Sequence, residues 1–379
     1  MQSLHTGGTV TAPGVRRDVA PMLRQLGAGP AEESELLAYI EASDAREPVV
    51  DVESFPLADE PFVSAWRGYQ KAAAEVGIEA ALRLGPLRQL NFPVAAGMPE
   101  QPEYVAVTRR GSPVNHLRSR GVFHAPQRVQ LLLHPTMAGH IPVIVAGDRR
   151  DFELLVRSVL HRNAPVEVPR SQGACMVAGF NNWDRVEAYR AAWSAEHPGA
   201  TEADWTVEFA RMAGRKALYQ DRFMILSEGN YSAVEASAMA MDEEEWLKRS
   251  LTIRLEHECA HYLTRRVFNS MRNALLDELI ADYAGLDAAF GAYRPEAFLR
   301  FMGLEAFPRY RSGGRLENYR GTPPLSDGAF RLLQPLVIQA ARTLGAWSRK
   351  RPRMMDAKRD RAHMIVSLMQ GGLAPLLVG

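Results

Sequence analysis

The segment Leu255 to Thr264 reads LEHECAHYLT and contains His257-Glu258-Cys259-Ala260-His261, the pattern H-E-x-x-H. On a helix, residues four apart stand one above the other on the same face, so two imidazoles at that spacing can grip a single cation. Zinc suits them, and a catalytic zinc site takes three protein ligands plus a water. Glu258 follows His257 by one residue and so projects about 100° around the helix from it, toward that water rather than onto the metal, where a carboxylate serves as general base. The plain alternative is that both histidines are surface residues or hydrogen-bonded core residues.

A third ligand must come from elsewhere in the chain. The segment Leu276 to Gly285, LDELIADYAG, supplies Glu278 and Asp282 four residues apart on a second expected helix, so both carboxylates point the same way. The short connector Asn269 to Asn273 between the segments suits an antiparallel helix pair that brings Glu278 to the histidines. Asp282, one turn on, is then placed to accept the free N–H of a ligating imidazole.

HECAH followed by ELIAD resembles the gluzincin branch of the zincin metallopeptidases, the thermolysin-like group, which carries HExxH on one helix and ExxxD on the next. The resemblance covers Glu243 to Leu286. It implies a zincin-like catalytic region with one zinc ion, His257, His261 and Glu278 as ligands, Glu258 as base and acid, and Asp282 as the orienting carboxylate. The metzincin pattern does not fit, because it requires Gly and His where this chain has Thr264 and Val267.

Further donors for a developing oxyanion are sought in the polar loop Pro308 to Gly321, PRYRSGGRLENYRG, where Tyr310, Arg311, Arg315 and Tyr319 are candidates. Gly313-Gly314 permits unusual backbone geometry there. Tyr262 and Tyr283 read as core packing, and Cys259 as a small buried residue rather than a nucleophile. His134, His140 and His161 lack metal spacing to one another. The Gly- and Asn-rich stretch Ser171 to Asn182 reads as a turn between strand and helix, with a cleft lining as the alternative.

The histidine helix has strong signals of its own. Asp242 can cap it, Glu243, Glu244 and Glu245 complement the positive end of its dipole, and neither Pro nor Gly interrupts it before Phe268. Helical spacing continues through Leu275 to Phe290, Pro295 to Met302, Ser326 to Trp347 and Met354 to Gln370. Upstream, helices are expected at Ala31 to Ser43, Glu60 to Leu84 and Asp151 to His161. Tyr104 to Thr108, Val129 to Leu133, Ile141 to Val145, Ala174 to Ala178 and Arg222 to Leu226 lean toward strand. The expected fold is α+β, with a flexible start over residues 1–14, a mixed α/β part over 15–230 and a helical part carrying the zinc site over 231–379.

Composition narrows the partners. Lys plus Arg (45) nearly cancels Asp plus Glu (44), and a net charge of +1 creates no field for nucleic acid or an anionic membrane. The basic run Arg349, Lys350, Arg351, Arg353, Lys358, Arg359 and Arg361 lacks interleaved aromatics and reads as a solvated helix face. With two cysteines, a polar first dozen residues and no apolar run of spanning length, the expectation is a cytoplasmic protein. Three function classes remain: a zinc peptidase, a zinc enzyme acting on a small amide or other non-peptide substrate, and a binding protein that retains zinc without turnover. An intact Glu258 argues against the third.

Overall fold

The computed structural model describes residues 12–42, 50–113, 122–269 and 274–378. The start expected to be flexible lies outside them up to residue 11, as does the helix connector over 270–273. The class is α+β, as expected. The chain forms two compact units: residues 57–233, and residues 1–56 together with 234–379. The expected boundary lies at 230/231, and the first of these units ends at Ala233. The N-terminal stretch up to Pro56, expected with the mixed part, instead groups with the helical one.

Helices α1 (Ala12–Gln25) and α2 (Pro30–Glu41) open the chain and belong to the helical unit. The mixed unit follows with α3 (Val63–Val76), α4 (Ile78–Leu84), α5 (Pro102–Arg109), β1 (Val129–Thr136), β2 (Gly139–Ala146), α6 (Arg149–Leu160), β3 (Ala174–Asn181), α7 (Trp183–Glu196), α8 (Glu202–Ala213) and β4 (Gln220–Ser227). Its sheet runs β1-β2-β4-β3. The β1/β2 and β3/β4 pairs are antiparallel, whereas β2 and β4 run parallel. The two central strands are the most continuously buried, as strands covered on both faces must be. Trp66, Phe152, Ile144, Phe223 and Ile225 sit in the core they build. In the Gly-rich stretch, Gly179 takes φ 70° and forms the bulge at which the β3 register shifts between Ala178 and Phe180.

Two expectations fail in this unit for identifiable reasons, and two helices had none. Tyr104 to Thr108 is helical, not extended: Pro102 stands at the first helical position, and the Thr108 hydroxyl donates to the Tyr104 carbonyl one turn back. The expected helix Glu60 to Leu84 is broken at Gly77, whose φ of 86° no helix interior accepts. Helices α7 and α8 lie outside the sequence expectations: few of their residues are buried, and α7 carries no apolar stripe. Their caps were readable: Asn182 accepts from the Asp184 N–H, and Thr201 with Asp204 forms a capping box.

The helical unit adds α9 (Glu243–Phe268), α10 (Ala274–Phe290), α11 (Pro295–Met302), α12 (Asp327–Lys350), α13 (Ala357–Gly371) and α14 (Ala374–Val378). Trp246, Tyr262, Tyr283, Phe298 and Phe301 are fully buried here, so both tyrosines pack in the core as expected. The basic run is a correction. Arg349 and Lys350 are exposed, but Arg351 pairs with Asp360, Arg353 with Asp287, Arg361 with Glu256 and Arg359 with Glu53. The pairs to Asp287 and Glu256 brace the segment around α13 against α10 and α9. No helix among the described residues is long and apolar enough to cross a membrane.

Candidate metal centre

Helix α9 forms for the reasons its sequence advertises. The Asp242 carboxylate accepts the Glu245 N–H at 2.8 Å, three glutamates occupy the first turn, and Asn269 ends the helix in a left-handed conformation. What brings α10 against it is Gly285. A Cβ there would lie 2.6 Å from the Ile253 carbonyl oxygen, so the two backbones approach more closely than any side chain at 285 permits. From that contact the facing pairs step in opposite directions along the two helices: Ile253 with Gly285, His257 with Asp282, His261 with Glu278. This is the antiparallel pairing that the spacing predicts.

The donors converge. His257 Nε2 and His261 Nε2 are 3.0 Å apart, and they lie 3.5 and 3.6 Å from the two oxygens of Glu278. Among the described residues this is the one group of three His, Cys, Asp or Glu side chains whose donor atoms all fall within 4.8 Å of one another. A tetrahedral zinc site, with ligands at about 2.0–2.1 Å, sets its donors about 3.3 Å apart, so this set fits zinc in both chemistry and spacing. His257 Nδ1 meets Asp282 Oδ1 at 2.9 Å, which fixes the ring and leaves Nε2 as the coordinating atom. Both histidines are buried, at 7% and 8% exposure, so their donor atoms are largely shielded from competing water.

The carboxylates are held as anions despite their burial. Burial pushes the Glu278 carboxyl up, but the charge of His257, the contact with His261 and the Arg315 guanidinium outweigh it and bring it well below the usual range. Asp282, wholly buried, is likewise raised by burial and lowered further by Arg315 and by its bond to His257, with a net downward shift. For His257, burial works against the charged ring, yet Glu278 and Asp282 prevail and the net shift is upward.

Arg315 is the member of this cluster whose role the sequence did not disclose. Its Nη2 donates to Glu278 Oε2 at 2.5 Å, its Nη1 lies 3.3 Å from Asp282 Oδ2, and its Nε donates to the Tyr319 hydroxyl at 3.2 Å. The short 3₁₀ turn Arg315–Tyr319 that carries both residues is pressed onto the end of α11. A Cβ on Gly314 would lie 2.5 Å from the Met302 carbonyl oxygen. The Tyr319 carbonyl accepts from the Tyr39 hydroxyl of α2 at 2.7 Å. Two of the loop candidates, Arg315 and Tyr319, thus reach the centre. Tyr310 does not join the network: its hydroxyl donates to the Gly314 carbonyl and its ring packs edge-on against Phe330. Arg311 is held away by Glu305 and the Arg300 carbonyl.

Glu258 is half-buried and, among the described residues, stands outside this hydrogen-bond network. Cys259 is buried, and burial pushes its thiol up, which agrees with a packing role and not with a nucleophile. His140 Nδ1 meets Asp59 Oδ1 at 2.9 Å, a side-chain contact within the mixed unit.

Fold and site together define an α+β protein whose paired helices present two imidazoles and one carboxylate to a common point. The chain belongs to a family of unknown function, DUF7005, whose model matches residues 21–377. No curated protein and no solved structure matches it.

Proposed function

We propose that the chain is a zinc-dependent hydrolase of zincin-like type that cleaves an amide or peptide bond, with His257, His261 and Glu278 as metal ligands and Glu258 as general base. The observation that carries this reading is the convergence of two imidazole Nε2 atoms 3.0 Å apart on both oxygens of a single buried glutamate. A zinc ion bound there supplies Lewis acidity, polarising a carbonyl and acidifying water. The chain's own residues do the remainder. Asp282 keeps the His257 ring in one tautomer. Glu258, one residue along from a ligand and not tied up in the ligand network, takes a proton from the attacking water and returns it to the leaving nitrogen. Burial raises the Tyr319 hydroxyl, so it stays protonated at neutral pH and can donate a hydrogen bond to a developing oxyanion.

A peptide, a protein or a small amide each suits this chemistry as substrate, while a polyanionic partner does not suit a chain of net charge +1. A cytoplasmic setting belongs to the same proposal and is supported by two cysteines, both free. The test is metal content together with one substitution. Glu258→Gln keeps near-stoichiometric zinc by elemental analysis and lowers turnover of a cleavable amide by about 100-fold or more. A Gln variant as active as the parent removes Glu258 as base, and a parent chain that retains no divalent metal removes the reading altogether.

A further inference from the structure

We infer that Arg315 is a built-in counter-cation: it holds the two carboxylates of the empty centre in place before a metal arrives, and it thereby weakens metal binding. The inference rests on the proposed metal site and concerns how tightly that site holds its ion.

The guanidinium contacts the ligand Glu278 at 2.5 Å and the orienting Asp282 at 3.3 Å, so one cation bridges both anions of the centre. Its third nitrogen is spent on Tyr319, whose carbonyl is tied in turn to Tyr39. The Arg315 side chain is only 15% exposed. An arginine fixed on three sides is not a free donor for substrate, so it acts through the centre's charge, as a positioning residue.

Metal ligation requires His257 and His261 to be neutral, and Glu278, Asp282 and Arg315 then give the metal-free site one negative charge; without Arg315 it would carry two. A divalent ion on Glu278 therefore meets a fixed positive charge already bound to the same carboxylate. Between a single and a double charge a few ångströms apart in a protein interior, repulsion is worth several powers of ten in affinity. An orienting hydrogen bond to a ligand works the other way, but by only about 10- to 100-fold. Orientation is moreover shared here, since both histidines also contact Glu278. Repulsion therefore wins, and the arginine stabilises the empty centre more than the loaded one.

The test is a competition titration of the purified full-length chain with zinc, and separately cobalt, against a chelator at pH 8, where imidazole protonation competes least. Arg315→Met is expected to bind either ion at least about 10-fold more tightly than the parent. By linkage, its metal-free form loses more thermal stability than its loaded form. Arg315→Lys, which keeps the charge without the planar fork, stays within a few-fold of the parent. Should Arg315→Met fail to fold, Tyr319→Phe, which frees Arg315 Nε, is expected to shift affinity in the same direction by a smaller factor. Unchanged or weaker metal binding in Arg315→Met, or equal loss of stability in the empty and loaded forms, overturns the inference. A parent chain that binds neither ion refutes instead the metal site on which it rests.

Discussion

Each unit buries a carboxylate among polar partners, and the two clusters are built on opposite plans. In the mixed unit Asp221 is fully buried and accepts from Trp66 Nε1 at 2.8 Å, Asn182 Nδ2 at 2.7 Å and Arg185 Nη1 at 2.6 Å. The Tyr69 hydroxyl completes the set on Asn182 at 3.2 Å. Acceptors and donors match, so the cluster is closed. In the helical unit Asp282 is equally buried and also faces an arginine, yet the groups beyond it converge on one point. With His257 Nδ1 held by Asp282, its Nε2 turns toward His261 Nε2 and the Glu278 carboxylate. Imidazole and carboxylate atoms that converge on one point can share a cation, whereas a closed cluster has no such point. Buried polarity alone therefore does not mark a site; ligand-type atoms converging on one point do.

The titration directions follow the same division. Asp221 receives one cation and two neutral donors, and burial wins, raising its carboxyl above the ordinary value. Asp282 is raised by burial too, but the Arg315 charge and the His257 bond reverse the net shift. At Asp282 the Arg315 charge and the His257 contact outweigh burial, whereas at Asp221 the bonds from Asn182, Arg185 and Trp66 do not.

The strongest way to break this contrast is a pair of truncations. Glu278→Ala is expected to weaken zinc binding by more than about 100-fold, because even orienting residues that never touch the metal typically contribute 10- to 100-fold. Asp221→Ala is expected to leave zinc stoichiometry unchanged while lowering stability by about 3 kcal/mol in urea denaturation, the low end of the usual cost of removing one partner of a buried pair, because Arg185 keeps the Gln220 and Ala217 carbonyls. If the folded Asp221 variant loses its zinc, or the Glu278 variant keeps it, the distinction between closed and open clusters fails.

A smaller effect probes how the open cluster is assembled. Gly285→Ala places a methyl group against the Ile253 carbonyl and must spread α9 from α10. Overpacking of this kind costs about 1–3 kcal/mol of stability. Because the same contact sets the spacing of His257 and His261 from Glu278, metal affinity is expected to fall about 10-fold as well. Cobalt titration reads this directly, and affinity equal to the parent's would show that the ligands are positioned by something other than the close helix contact.

What the sequence disclosed was local. The i,i+4 pairs His257/His261 and Glu278/Asp282 are fixed by helical periodicity alone, and the caps and uninterrupted run of α9 were equally readable. Arg315 lies 37 residues from Glu278, and Tyr39 lies 280 residues from Tyr319. No periodicity links residues so far apart, so a plausible oxyanion donor in the sequence becomes, in the fold, a clamp on a ligand. The C-terminal arginines were misread for the same reason: Asp287 and Glu256, which pair with Arg353 and Arg361, are distant in the chain. Gly285 was visible at the end of LDELIADYAG, but a helical glycine reveals a close approach only when its neighbour is known.

The smallest expected effect is a pH dependence confined to the closed cluster. The Asp221 carboxyl is raised in the folded chain from its ordinary value of 3.8, so below that value it is neutral in both folded and unfolded states and contributes no pH dependence. As pH rises from there toward the folded value, the unfolded chain releases its proton first, and stability falls by linkage until the folded carboxyl ionises too. Asp221 belongs to β4, so hydrogen exchange at Gln220–Ser227, corrected for intrinsic rates, should show protection declining as pH rises from about 4. Asp221→Asn removes the titrating group and flattens that slope, even though it weakens the pairing with Arg185. A slope that persists unchanged in the Asn variant would assign it to another group and leave Asp221 ionised throughout, on the same footing as Asp282.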